Sequence, residues 1–103
     1  MKRAFKMKLK PGFEEEYKKR HDEIWPALAE ELKKAGVSDY SIFLDRETST
    51  LFAVQKLSDG NTAKQLSQTG IVRKWWDFMS DIMEVNPDNS PVVTELKEVF
   101  YLK

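Results

Sequence analysis

Asp39-Tyr40-Ser41-Ile42-Phe43-Leu44-Asp45, then Arg46-Glu47-Thr48-Ser49-Thr50, then Leu51-Phe52-Ala53-Val54-Gln55-Lys56-Leu57 run through the middle of the chain. Tyr40, Ile42 and Leu44 alternate with Asp39, Ser41 and Asp45, the period-two pattern of a half-buried strand. The apolar run Leu51 to Leu57 reads as another strand. A polar link as short as Arg46 to Thr50 joins two strands only as an antiparallel hairpin. What flanks this hairpin then fixes the architecture.

On its N-terminal side, Phe5, Met7 and Leu9 alternate with Lys6, Lys8 and Lys10, so Ala4 to Lys10 reads as a strand that Pro11-Gly12 ends. From Phe13 to Ala35 the spacing changes. Phe13, Tyr17, His21, Ile24, Trp25, Leu28, Leu32 and Ala35 recur every three or four residues, as on an amphipathic helix. Glu14, Glu15 and Glu16 suit its positive end, Lys33 and Lys34 its negative end, and Gly36 its stop. Pro26 cannot donate a hydrogen bond to Asp22 and disfavours helical geometry at Trp25. A kink is expected there, or a break with Pro26 opening a second helix.

Beyond the hairpin, Asp59-Gly60-Asn61 opens a helical stretch punctuated by Gly70. A helix follows over Ile71 to Met83, with Ile71, Val72, Trp75, Trp76, Met79, Ile82 and Met83 as a broad apolar face. Asn86-Pro87-Asp88-Asn89-Ser90-Pro91 is a polar, rigid loop, and a last strand is expected over about Val93 to Leu102. The order strand, helix, strand, strand, helix, strand is the split βαβ, or ferredoxin-like, arrangement of an α+β protein. Its four-stranded antiparallel sheet carries helices on one face. The other face of such a sheet needs a cover, and a second copy supplies it. A symmetric homodimer, a dimeric α/β barrel, is therefore expected.

The 103 residues fit one domain spanning 1–103. Lys+Arg and Asp+Glu cancel at 17 each, which gives a nucleic-acid or anionic-membrane partner no electrostatic support and favours a neutral ligand. There is no cysteine and one histidine, so no disulfide, no thiolate site and no zinc site is expected. No Gly-rich phosphate loop or nucleophile elbow is present, and no cofactor is expected. The basic N-terminus lacks a continuous apolar stretch, no run reaches the ~18 apolar residues of a membrane span, and a cytoplasmic location is expected.

The single histidine is the one side chain that exchanges protons near neutrality without a perturbed pKa. Tyr17, His21 and Trp25 lie four residues apart, on one helical face. Spacing alone leaves two readings open, a proton-transfer group or an ordinary core histidine among aromatics. Trp75 and Trp76 point about 100° apart on a helix, so they cannot fill one slot. One indole suits the apolar face of a sugar, and an interface between copies suits the pair equally. Tyr40 offers a hydroxyl or ordinary strand packing.

The chain resembles the L-rhamnose mutarotase family along nearly its whole length. The likeness rests on Arg20-His21-Asp22-Glu23-Ile24-Trp25-Pro26, on Tyr40-Ser41-Ile42-Phe43-Leu44-Asp45 and on Trp75-Trp76. It continues through Met79, Asp81, Met83, Asn86-Pro87-Asp88-Asn89-Ser90-Pro91 and Leu96-Lys97-Glu98-Val99-Phe100-Tyr101-Leu102. Ala27 departs from the glutamate expected after Trp25-Pro26, and Asn61 to Gly70 matches no motif. The resemblance implies a dimeric enzyme that interconverts the α and β anomers of L-rhamnose, with His21 as proton donor. It also implies that Tyr17, Tyr40, Trp75 and Trp76 bind the sugar. Two other functions suit a small dimeric barrel with a histidine and a tryptophan in its pocket. These are a cofactor-free monooxygenase and a non-catalytic sugar-binding module. Oxygen consumption, or sugar binding without faster anomer exchange, would distinguish them.

Overall fold

The computed structural model describes residues 1–103. Its elements are β1 (Lys2–Lys8), α1 (Glu14–Asp22), α2 (Pro26–Lys34), β2 (Val37–Asp45), β3 (Thr50–Leu57), a 3-10 turn (Ala63–Gln68), α3 (Gly70–Met79) and β4 (Thr94–Leu96). The four strands form one antiparallel sheet in the order β2-β3-β1-β4. This is the split βαβ order expected from the alternation and the hairpin.

Proline decides how the first helical segment divides. The chain leaves the helix after Asp22, Trp25 is extended with φ −61° and ψ 126°, and Pro26 begins α2. A proline at the first helical position loses no hydrogen bond, because that N–H has no partner within the helix. The segment therefore breaks instead of bending, with Glu23, Ile24 and Trp25 between the two helices.

The core lies between the sheet and the helices. Phe5, Met7 and Leu9 of the first strand and its extension meet Leu51 and Ala53 of β3. Leu28 of α2, Val72, Trp75 and Met79 of α3, and Ile82 and Met83 close over them. Leu9, Leu51 and Ile82 are wholly enclosed.

Three expectations need correction. Strand β2 starts at Val37, before the alternation that was legible from Asp39. Ser38 pairs with Lys56 and Ser41 with Val54, so two residues, Asp39 and Tyr40, stand opposite Gln55 alone. Asp39 takes φ +45° to make this bulge, a conformation that Asp tolerates better than most residues. The bulge hides the strand's start, because Val37 and Tyr40 face the same side although they are three residues apart.

Helix α3 ends at Met79, short of Met83. The Ser80 hydroxyl donates to the Asp77 carbonyl at 2.8 Å and the Ile82 N–H to the Met79 carbonyl at 3.1 Å, so the chain tightens into turns. Ile82 and Met83 still enter the core, and Met83 bridges Leu9. The apolar spacing reported burial correctly, although the backbone there is not helical.

The last strand is only three residues long instead of about ten. Leu96 pairs with Ala4, so an antiparallel continuation runs off the beginning of β1 within a few residues. Val99, Phe100, Tyr101 and Leu102 consequently have no strand to pair with in the protomer and are largely exposed, Val99 at 89%. Phe43 and Phe52, paired in register across β2 and β3, sit on the sheet face away from the helices. Leu96 lies on that same face.

Candidate active site

Helix α1 brings Tyr17 and His21 together by its own geometry, since residues four apart lie one above the other. Their rings stack with centroids 4.3 Å apart and planes inclined by 26°. The imidazole Nδ1 lies 3.0 Å from the Tyr17 carbonyl oxygen. A carbonyl only accepts, so Nδ1 carries the proton and donates it. In the neutral ring Nε2 is then the basic nitrogen, and no protein group occupies it.

Burial lowers the His21 pKa below its usual 6.5, with the hydrogen bond to Tyr17 and the charge of Asp22 opposing the shift in part. The imidazole is thus mainly neutral near pH 7. The Tyr17 ring is buried, and its hydroxyl makes no hydrogen bond within the protomer yet is not sealed from solvent. Burial, and then the Tyr40 phenol beside it, push the Tyr17 hydroxyl well above its usual pKa of 10. It stays protonated and serves as a neutral donor and acceptor.

From α3, Trp75 meets the edge of His21 at 5.4 Å, the two planes 87° apart. Trp25, held extended at the break between α1 and α2, stands perpendicular to Trp75 at 5.0 Å. Phe78, one turn beyond Trp75, touches both indoles at 5.5 and 5.6 Å. These aromatics form a wall with one imidazole in it.

Tyr40 reaches the same region from β2, its ring 6.5 Å from Phe5. Tyr40 is partly open to solvent, and partial burial pushes its hydroxyl up to about 12, Arg3 opposing the rise. Arg3 is itself paired with Glu95 of β4. Trp76 stands apart from the aromatic wall. It is half-buried against the core, and the ring contacts of this helix are made by Trp75 and Phe78.

The structure therefore gathers Tyr17, His21 and Trp75 in contact, places Tyr40 beside Tyr17, and leaves Trp76, next to Trp75 on α3, outside these ring contacts. Phe78 and Arg20 belong to the same constellation and were given no role from sequence. Phe78 had a signal, its spacing of three from Trp75. Arg20 had none beyond its place in a motif.

A ferredoxin-like α+β protein with one imidazole set in an aromatic wall has the features of an acid–base enzyme for a small neutral molecule. Residues 2–102 match the profile of the L-rhamnose mutarotase family, to which this chain belongs. It is 61% identical to an L-rhamnose mutarotase of Flavobacterium johnsoniae, over 99% of this chain and 95% of that protein. It is also 61% identical to one from Bacteroides thetaiotaomicron, over 99% of each chain. The crystal structure of an L-rhamnose mutarotase from Formosa agariphila superimposes with a TM-score of 0.93 at 57% identity. That match covers 100% of this chain and 99% of the other.

Proposed function

We propose that this protein is an isomerase that interconverts the α and β pyranose anomers of L-rhamnose, with His21 as the proton-transfer residue. Tyr17, Tyr40, Trp75 and Trp76 bind the sugar. The observation that carries the reading is the single stacked imidazole with a free Nε2, in a chain that matches the family from end to end. The named relatives favour this activity over a monooxygenase or a non-catalytic binding module.

The chemistry follows from the tautomer. Neutral Nε2 accepts the proton of the anomeric hydroxyl as C1=O1 forms and the bond from C1 to the ring oxygen breaks. The imidazolium so formed donates that proton to the ring oxygen, which shares C1 with the hydroxyl and so lies within reach of one nitrogen. Rotation about C1–C2 presents the other carbonyl face, and the reverse transfers close the ring. Protons and electrons balance within the sugar and His21. The Tyr17 and Tyr40 hydroxyls bind sugar oxygens, and the indoles cover C–H faces.

The test is saturation-transfer NMR between the two anomeric protons of L-rhamnose, with and without protein. Acceleration that is strong for L-rhamnose and weak for unrelated aldoses supports the proposal, and no acceleration for any sugar refutes it. The pH dependence has a definite sign. His21 must be neutral to accept a proton, and its pKa lies below 6.5. The rate is expected to hold from neutrality down to the slightly acid range and to fall only as pH drops through that depressed value. A rate that rises on acidification would contradict the tautomer argument.

The protein is also proposed to work as a cytoplasmic homodimer of single-domain protomers. No helix is long and apolar enough to cross a membrane. Phe43, Phe52 and Leu96 on the open sheet face, continued by Val99 to Leu102, form an apolar surface of the kind that a second sheet covers. Light scattering at micromolar concentration is expected to give twice the 12.0 kDa chain mass. Replacement of Phe43 and Phe52 by Ser should shift the protein towards the monomer, and a wild-type monomer would overturn the assignment.

A further inference from the structure

Helix α3 carries no basic residue in its last turn, although the carbonyl groups there hold partial negative charge. The missing cation comes from another element. Arg20, on α1, donates through Nη1 to the Phe78 carbonyl at 2.8 Å. The same guanidinium grips Asp81 with two nitrogens, at 2.9 and 3.2 Å, and Nε binds Glu16 one turn back at 2.7 Å. Its plane lies over the Phe78 ring, 4.5 Å from the centroid. The Arg20 side chain is only 12% exposed, while Asp81, at 65%, remains open to solvent, so the clamp is held by its geometry and not by burial of the charges.

The consequence lies one residue along. Arg20 precedes His21 on α1, and its partners Phe78 and Asp81 follow Trp75 on and after α3. The clamp therefore joins the two elements whose separation sets the contact between imidazole and indole. A second chain of contacts runs from Arg20 to the Phe78 ring, from Phe78 to Trp75 and from Trp75 to His21.

We propose that Arg20 is a positioning residue for the reaction: by capping the end of α3 and holding Asp81, it fixes His21 edge-on to Trp75 and aims Nε2 into the site. A planar, bidentate fork is required for this, because a lysine ammonium offers one point charge and cannot hold both Phe78 and Asp81 in fixed directions. The proposal rests on the mutarotase assignment for its kinetic part, while its structural part does not.

The experiment compares wild type with Arg20→Met, Arg20→Lys and Asp81→Asn. Because His21 is the only histidine, its two ring C–H resonances are identifiable without assignment of the rest of the spectrum. They carry the ring-current imprint of Trp75 and Tyr17. In Arg20→Met these resonances are expected to move towards unstructured values. The kcat for anomer exchange should fall about 10²-fold, the scale of a misplacement near 1 Å, with KM little changed. Arg20→Lys should recover part of both signals. Should Arg20→Met not fold, Asp81→Asn tests the same clamp from an exposed position, where a smaller change in the same two signals is expected.

A folded Arg20→Met protein with wild-type kcat overturns the proposal, and so does a loss of kcat with unmoved His21 resonances. A lower melting temperature with normal kcat would mark Arg20 as structural only and would also overturn it. If wild type itself fails to accelerate anomer exchange, the functional assignment fails, whereas the resonance shifts still report whether Arg20 orients His21.

Discussion

His21→Asn is expected to slow anomer exchange at saturating L-rhamnose by about 10²–10⁴-fold while the protein remains folded. Asparagine retains a side chain that can donate to the Tyr17 carbonyl, so the local helix loses little. It cannot accept and return a proton near neutrality, and it is the return of the proton to the ring oxygen that completes the opening step. The loss corresponds to about 3–5 kcal/mol of barrier, more than a packing change without unfolding explains. The same measurement on Tyr17→Phe separates proton transfer from sugar binding, since the phenol acts as a neutral donor and should affect KM before kcat. Near-wild-type exchange by folded His21→Asn would remove His21 from the mechanism and direct attention to Tyr17 or a carboxylate.

Trp75→Ala is expected to have the largest effect on stability among the candidate site residues. The indole is buried and contacts His21, Trp25 and Phe78 at once. Removal of a core tryptophan costs about 3–5 kcal/mol, which for a domain of this size lowers the melting temperature by on the order of 20 °C. Trp76→Ala should cost much less, because that ring is only half-buried and takes no part in the aromatic wall. Thermal unfolding followed by circular dichroism compares the two directly. Equal losses would show that the exposure difference between the adjacent indoles has no energetic meaning. Trp75→Phe keeps most of the packing, so weaker sugar binding by this variant would report the loss of indole surface and of its N–H.

Much of this was legible in the sequence because the signals were local. The alternation of Phe5, Met7 and Leu9, the hairpin at Arg46 to Thr50 and the helical spacing of Trp75 and Met79 each depend on a few consecutive residues. Tyr17 and His21 met because one turn of helix brings them together. What was hidden depended on distant parts of the chain. The contact of Trp25 with Trp75 needs α2 and α3 to pack, and the clamp of Arg20 on Asp81 spans 61 residues. The short last strand was hidden for another reason. Val99, Phe100 and Leu102 have strand-forming side chains, but pairing needs a neighbour, and β1 has ended by then.

The bulge at Asp39 gives the hairpin two reading frames. From Val37 to Ser38 the strand counts in one frame, and from Tyr40 to Asp45 in the other, with Asp39 as the spare residue between them. Phe43 turns away, while in both frames Val37, Tyr40, Ile42 and Leu44 turn towards the helices. A regular ladder one residue shorter would still place Tyr40 on that side, opposite Gln55. The extra residue therefore does not choose the face of the sheet on which Tyr40 stands; it adds bend and twist, which set the direction in which the phenol leans. Face and aim are separately encoded in this strand, the first by the pairing and the second by a single surplus position, so the outline of the pocket can change through chain length alone while every side chain in the core stays where it is.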